Sequence, residues 1–567
     1  MSIGNLGAPS AMTGLGDRLL RVAGSPGLWI AAFAAAAVAA LSLKLRLPLG
    51  PNAWDTAVYL DAVQRIHAGQ VPSLDFFAPV GPLGYYGAAL LDALFPQAQP
   101  MLLVNWALLP VLLPIAAILG AAISARSRPL ALALILPLLL FAALPINLHG
   151  LYPMPGFDGY GHYNRHVALL LYLLIATLLF VPRGRVATGL VAALMLTLFL
   201  VKITGAVTGA LLVGYAILAG RLRLRDAVLA AGTVLAALGA LDLATGVVRA
   251  YLADILALLA LNTGALLPRF LTVASVKFNV VGPCLLLMGA LALAAWRDGL
   301  SLSLDGLRRL AASNLGWLAA AFLALTFFET QNTGSLEYIG LWPILLLILL
   351  DWRHRTDRLR PVVLVLALAV ALPSAVIVVE RSARALLGAA GHVALDVPEL
   401  GPLGRVSLKP ETAQRAAVML DHYAKHPEPY RDLAARGLGP SAILYSEIDY
   451  QATWLLEVRQ GLLALRAWEA ANGRRLNGIL TLDFVDPFNR LLDQEPPRHV
   501  PIGMDPGRST PALEPRTLAE LARTDAILAP KCPVTGARDA IRAHFAEALH
   551  GRQLVALSPC WDLYLKG

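Results

Sequence analysis

VATGLVAALMLTLFLVKITGAVTGALLVGYAILAG, residues 186–220, is a run of 35 residues with a single charge, Lys202. A helix crossing a bilayer needs about 20 apolar residues, so the run is too long for one crossing and fits two short ones that turn at Lys202-Ile203-Thr204-Gly205. Arg183 and Arg185 stand before it, and Arg221, Arg223 and Arg225 follow it. Both basic ends then lie on one side, which the excess of Lys and Arg in cytoplasmic loops marks as the inside. The turn carrying Lys202 faces outward.

The rest of the chain agrees with that reading. Of 567 residues, 57% are hydrophobic and 15% charged, and the mean hydropathy is +0.64. A soluble chain is about half apolar and about a quarter charged, which excludes an ordinary soluble protein. Apolar stretches lie near 26–46, 101–123, 130–146, 166–182, 186–202, 204–220, 227–246, 281–296, 314–329, 338–352 and 361–380. The expected fold is a polytopic α-helical membrane protein of about 11 transmembrane helices. No cleavable leader is evident; Leu28 to Leu43 reads as an uncleaved first helix, and Arg18 and Arg21 before it place residues 1–25 in the cytoplasm.

Residues 381–567 differ in kind, with 22 of the 46 Lys and Arg and 21 of the 37 Asp and Glu. They read as a separate, nearly neutral domain beyond a hydrophobic body at 26–380. The basic isoelectric point near 9.5 therefore comes from the membrane part. Sixteen of the 24 basic residues before position 381 fall in inner segments, so the basicity speaks for topology before nucleic acid. Arg249 to Gly282 is the ambiguous stretch. Its apolar portion, Ile255 to Pro268, is expected as a helix along the outer interface, because a crossing there would put Arg308, Arg309 and the basic cluster after Asp351 outside. The tail domain then lies outside, in a bacterial inner membrane the periplasm.

The first outward segment, 47–100, carries the most specific pattern. Asp55 opens a helical periodicity through Val58, Ala62, Val63 and Ile66, and Gly69 ends it. The Asp55 carboxylate is placed to cap the helix or to face a cavity. Downstream stands Asp75-Phe76-Phe77-x-Pro79-x-Gly81-Pro82-Leu83. An acidic residue just after the first apolar helix, an alanine-rich amphipathic helix with Tyr59, a Gly69-x-x-Pro72 break and this last motif resemble the membrane glycosyltransferases of the GT-C superfamily. The likeness is to the branch of protein mannosyltransferases, aminoarabinose transferases and rhizobial galacturonosyltransferases. The Lys202 hairpin and Gln331-Asn332-x-Gly334 before Trp342-Pro343 extend it more weakly to about residue 350.

That resemblance implies a GT-C-like body and transfer of a sugar from a polyprenyl-phosphate donor to an extracytoplasmic lipid, polysaccharide or protein. Asp55 would be the base, since a hydroxyl attacking an anomeric carbon must lose its proton as the bond forms. Many relatives have a second acidic residue directly after the first; here it is Thr56, which puts a divalent metal at this point in doubt. Tyr59 and Asp75 would bind sugar or acceptor, and Asp75 could equally brace its loop.

The second outward loop, Asn147 to His166, gathers Asp158, Tyr160, His162 and Arg165 among Gly and Pro breakers. Aromatic faces and carboxylates there suit a saccharide pocket, and an interfacial aromatic belt is the plainer reading. His149, His162 and Asp158 lack the compact spacing of a metal site. Lys202, with Arg165 and Arg269, is the candidate for the donor phosphate, since a cation stabilises the charge that develops on a leaving phosphate. The alternative for Lys202 is snorkelling to water.

In the tail, apolar runs at 442–445, 478–482, 526–529 and 553–557 alternate with helical patterns around 411–424, 450–472, 516–523 and 536–550, an α/β domain. It has no Gly-rich phosphate loop and no nucleophile elbow. In an oxidising compartment Cys532 and Cys560 should pair, each following a strand, with the two strands adjacent and parallel. A membrane transporter, or a cell-envelope assembly protein without transferase activity, remains the alternative function.

Overall fold

The computed structural model describes residues 24–53, 55–148, 156–261, 266–301, 303–331, 336, 338–438 and 448–567. Helices lie over every apolar stretch, from Pro26–Ser42 to Arg360–Gly388. The last runs past residue 380, to Gly388. By length and composition four helices among the described residues can cross a membrane: His162–Phe180, Leu224–Thr245, Phe278–Arg297 and Arg360–Gly391. A fifth crossing results when Leu304–Ala312 and Asn314–Thr330, bent by 68°, count as one, and further apolar helices are shorter.

The run 186–220 forms two helices, Arg185–Val201 and Ile203–Leu218, with Lys202 between them at φ −164° and ψ 128°. One extended residue in an unbroken apolar run turns the chain there. The amide of Lys202 still donates to the Leu198 carbonyl at 2.9 Å, and Gly205 N–H donates to the Lys202 carbonyl at 3.0 Å, so both helix ends keep their bonds. Gly81 of the first outward segment docks on this tip, donating to the Val201 carbonyl at 3.0 Å. A Cβ at Gly81 would overlap the Leu200 carbonyl, which is why the motif has glycine there.

The ambiguous stretch departs from expectation. Instead of one helix over 255–268 there are two, Val247–Leu261 and Leu266–Val276. The first begins directly after Gly246, whose left-handed φ of +74° ends Leu224–Thr245. Asn262-Thr263-Gly264 between the two helices has the composition of a breaker.

Two small sheets flank this body. Strands β1 (Leu47–Pro48), β2 (Val393–Ala394) and β3 (Val406–Leu408) form one in the order β1-β3-β2, with β1 and β3 parallel. It ties the chain just after the first helix to the chain just after the last. Strands β4 (Ile479–Thr481), β5 (Ala526–Pro530), β6 (Gln553–Ser558) and β7 (Trp561–Leu565) form the second, in the order β4-β5-β7-β6. Leu480, Ile527, Leu521, Ile541 and Phe545 make its apolar core, covered by helices that include Pro515–Arg523 and Gly536–His544. The expected strand at 442–445 lies outside the described residues.

Cys532 and Cys560 are bonded, with Cα atoms 5.0 Å apart, but the expected arrangement around them is corrected. β5 and β6 are not neighbours, because β7 lies between them and runs antiparallel to both. Cys560 sits in the tight turn from β6 to β7, where its carbonyl accepts from Lys531 N–H at 2.8 Å. β7 went unforeseen although its alternation is plain: Trp561, Leu563 and Leu565 face inward, Asp562 and Tyr564 less so.

Candidate active site

Asp55 is the first residue of the helix Asp55–His67 and only 9% exposed. Its Oδ2 accepts from the Gly161 N–H at 3.1 Å, so the carboxylate joins the two outward loops. Burial pushes its carboxyl up to about 6, while the Gly161 N–H and the Arg508 guanidinium oppose the rise. A carboxylate with a pKa just below neutral is a matched proton acceptor. Thr56, where relatives of the resembled branch have an acid, places its Oγ1 3.3 Å from His162 Nε2.

An open cleft of about 440 Å³ lies beside this point. Tyr160 and Tyr163 of the second loop, Lys202, Arg269 and Arg508 supply its polar lining. Val80, Ile255, Leu258, Leu259 and Val273 supply an apolar wall. Asp55 does not itself line the cleft; its donor Gly161 directly follows the lining Tyr160, and the charge of Arg508 reaches the carboxylate. Lys202 Nζ donates to Asn164 Oδ1 at 2.9 Å and sits 4.8 Å from the centre of the Tyr163 ring. It is held by protein groups at the cleft and is 8% exposed. Arg269, on Leu266–Val276, is exposed.

The other expected residues have duties elsewhere. Arg165 is 1% exposed, and its guanidinium donates to Asn105 Oδ1, to His162 Nδ1 at 3.2 Å and to the Asp158 carbonyl at 3.1 Å. It does not line the cleft, unlike Lys202 and Arg269. His162 is fully buried between Thr56 and Arg165, and Tyr59 packs on Tyr85 and His162 with ring centres 5.0 and 5.8 Å away. Asp158 accepts from Tyr160 N–H at 2.8 Å, a turn that sets the Tyr160 backbone, and burial raises its carboxyl. Asp75 accepts from Val71 N–H at 2.8 Å and from Arg498 of the tail at 3.0 Å. It braces its loop and anchors the tail domain.

Sequence reasoning missed Arg508 and Tyr251. The phenol of Tyr251 accepts from the amide of Ile203 at 3.0 Å, beside Lys202, and lines the cleft. The one signal for Arg508 was the Asp505-Pro506-Gly507 turn before it, which gives a loop but no destination. Among the described residues no group of three His, Cys, Asp or Glu is placed to hold a metal, and His149 lies outside them. Asp55 beside Thr56 and a hydrogen-bonded His162 do not form a metal ligand set.

No protein-family model and no curated protein matches the sequence. Among solved structures the fold is similar to ArnT from Cupriavidus metallidurans in the apo state, at 13% identity over 95% of this chain and 98% of that one, with a TM-score of 0.41. The crystal structure of the same ArnT bound to undecaprenyl phosphate gives 13% identity, the same coverage and a TM-score of 0.42.

Proposed function

We propose that this chain is an integral membrane glycosyltransferase of the GT-C type that moves a hexosyl or pentosyl group from a polyprenyl-phosphate donor to an acceptor hydroxyl. In this reading about eleven helices cross a bacterial inner membrane, and residues 381–567 form a periplasmic domain over the site. The observation that carries it is the cleft: three cations and three tyrosines beside an apolar wall, with the buried Asp55 carboxylate bonded to Gly161, next to the lining Tyr160. An amphiphile with an anionic head and a hydrocarbon tail fits that lining.

In the reaction the acceptor oxygen attacks the anomeric carbon while the bond from that carbon to the phosphate oxygen breaks. The acceptor proton passes to the Asp55 carboxylate. The electron pair leaves with the phosphate, and Lys202 and Arg269 stabilise the growing charge. Tyr160 and Tyr163 offer ring faces to the sugar. No step is routed through a metal.

The test is transfer of radiolabelled sugar from polyprenyl phosphate by the purified protein, screened over several sugars and acceptors. Transfer lost on Asp55→Asn supports the proposal. Failure of wild-type protein to bind or use any polyprenyl-phosphate donor overturns it.

A further inference from the structure

The cleft takes part of its wall from the far end of the chain. Arg508 and Ser509 line it together with Lys202, and they sit on a closed loop of the tail domain, Gly-Met-Asp-Pro-Gly-Arg-Ser-Thr at 503–510. Gly503 and Gly507 hold φ of +64° and +84°, values that cost glycine nothing. Ser509 Oγ donates to the Gly503 carbonyl at 2.7 Å, and Asp505 N–H donates to Thr510 Oγ1 at 2.7 Å. The amides of Arg508 and Ser509 both donate to the Asp505 carbonyl, at 3.0 and 2.8 Å. The loop therefore has one shape of its own.

It is also fixed in place. Just before it, Ile502 N–H donates to the Phe77 carbonyl at 3.1 Å and His499 N–H to the Asp75 carbonyl at 2.5 Å. A Cβ on Gly503 would touch Val58 at 3.6 Å, so the loop packs on the helix that begins with Asp55. Asp505 Oδ2 lies 3.2 Å from Arg508 Nε, which fixes one edge of the guanidinium, and the side chain is 53% exposed, accessible to a ligand.

Resting on the transferase reading above, we infer that Arg508 binds the polyprenyl phosphate, so that the donor site is completed by the tail domain and is competent only while that domain is docked on the first outward loop. A guanidinium presents forked donors that match phosphate oxygens, and the cleft lining contains three cations and no carboxylate. Arg508 then acts on both partners of the reaction. It holds the phosphate that leaves, and its charge favours the ionised form of the base. The other titratable groups facing Asp55 are Asp158 and Arg165 from the second loop, Tyr59 on its own helix and Tyr85 on Leu83–Leu94. Removing Arg508 leaves those in place, so the acid limb of the pH–rate profile should move to higher pH.

The test uses full-length protein in detergent micelles with undecaprenyl phosphate as probe, comparing wild type, Arg508→Gln and Arg508→Lys by thermal stabilisation and by direct binding. Arg508→Gln should bind roughly ten- to a hundredfold more weakly, with Arg508→Lys in between. Inorganic phosphate at the same concentration should not compete, because the apolar wall holds the chain. Unfolding without ligand should be unchanged, since the loop is closed by Ser509, Thr510 and backbone bonds. Wild-type affinity in Arg508→Gln, with an unmoved acid limb, would overturn this inference and leave the transferase reading standing. Equal competition by inorganic phosphate would also overturn it. No binding of undecaprenyl phosphate by wild type would remove both.

Discussion

Arg490 and Asp92 form a two-pronged ion pair across 398 residues of sequence: Nη2 lies 2.6 Å from Oδ1 and Nη1 3.2 Å from Oδ2. Asp92 is 9% exposed and Arg490 23%, so water screens the pair less than a surface one. It joins the tail domain to Leu83–Leu94 of the first outward segment, alongside Asp75 with Arg498 and Arg65 with the Pro497 carbonyl.

Asp92→Ala should therefore loosen the tail by about 1–3 kcal/mol. Limited proteolysis should cut between the last helix and β3 faster in this variant. The exchange of charges, Asp92→Arg with Arg490→Asp, should recover part of the loss, and a proteolysis rate equal to wild type in Asp92→Ala would show that the pair contributes nothing.

Asp55→Asn should abolish transfer while leaving the fold intact, because Asn keeps an oxygen for Gly161 N–H and cannot take the proton. The carboxyl lies up at about 6 from an ordinary 3.8, so the ionised form is disfavoured in the folded protein as pH rises through that window. Neutral Asn should accordingly be at least as stable at pH 7. In wild type, activity should fall as pH drops through about 6, where the base becomes protonated. An acid limb near 4 would remove Asp55 from the role.

Lys202→Met keeps the apolar stem and removes the charge. Use of the donor, read as kcat/KM for the polyprenyl-linked sugar, should fall roughly a hundredfold, with little change in acceptor KM. Unchanged donor kinetics would mean that Lys202 serves only to bond Asn164.

Inside the tail, Arg538 donates to Glu457 at 2.7 and 3.1 Å and to Asp483 at 2.9 Å, all three buried. Arg538→Leu would strand two carboxylates and should cost about 3–5 kcal/mol, seen as a lower unfolding midpoint. Adding Glu457→Gln and Asp483→Asn should recover much of it. A single variant as stable as wild type would mean that the carboxylates are already neutral.

A reporter active only outside the cytoplasm should score after residue 390 and stay silent after 312 or 356. In the same outward compartment Cys532 and Cys560 should resist alkylation until reduced, and reduction should cost the tail roughly 3 kcal/mol on the chain-entropy model. Free alkylation of unreduced, denatured protein would contradict the placement.

The helical body was legible because a long apolar run admits few structures, and Lys202 marked its own turn by being the one charge in its run. The place of Asp55 at the head of a helix was legible because Asp is a preferred residue there and an apolar period of helical spacing follows it. The surroundings of Arg165 were not legible, since an arginine among tyrosines and histidines reads alike whether it faces a cleft or is buried against Asn105, His162 and the Asp158 carbonyl. Arg508 could not be found, because the residues it joins in the cleft, Lys202 among them, lie hundreds of positions away and no local periodicity records such a meeting. β7 was within reach, since Trp561, Leu563 and Leu565 alternate with Asp562 and Tyr564.

The parallel pairing of Leu47 with Val406 and of Pro48 with Ser407 also settles a question of parity. Hydrogen-bonded strands share one side of a bilayer, so the chain must cross an even number of times between residue 48 and residue 406. Leu49 bridging Phe157 imposes the same rule on the first part of that path. The helices Val247–Leu261 and Leu266–Val276 can therefore add two crossings or none, but one alone would require another to disappear. If Pro26–Ser42 crosses, the total is odd, whatever hydropathy suggests for any single helix.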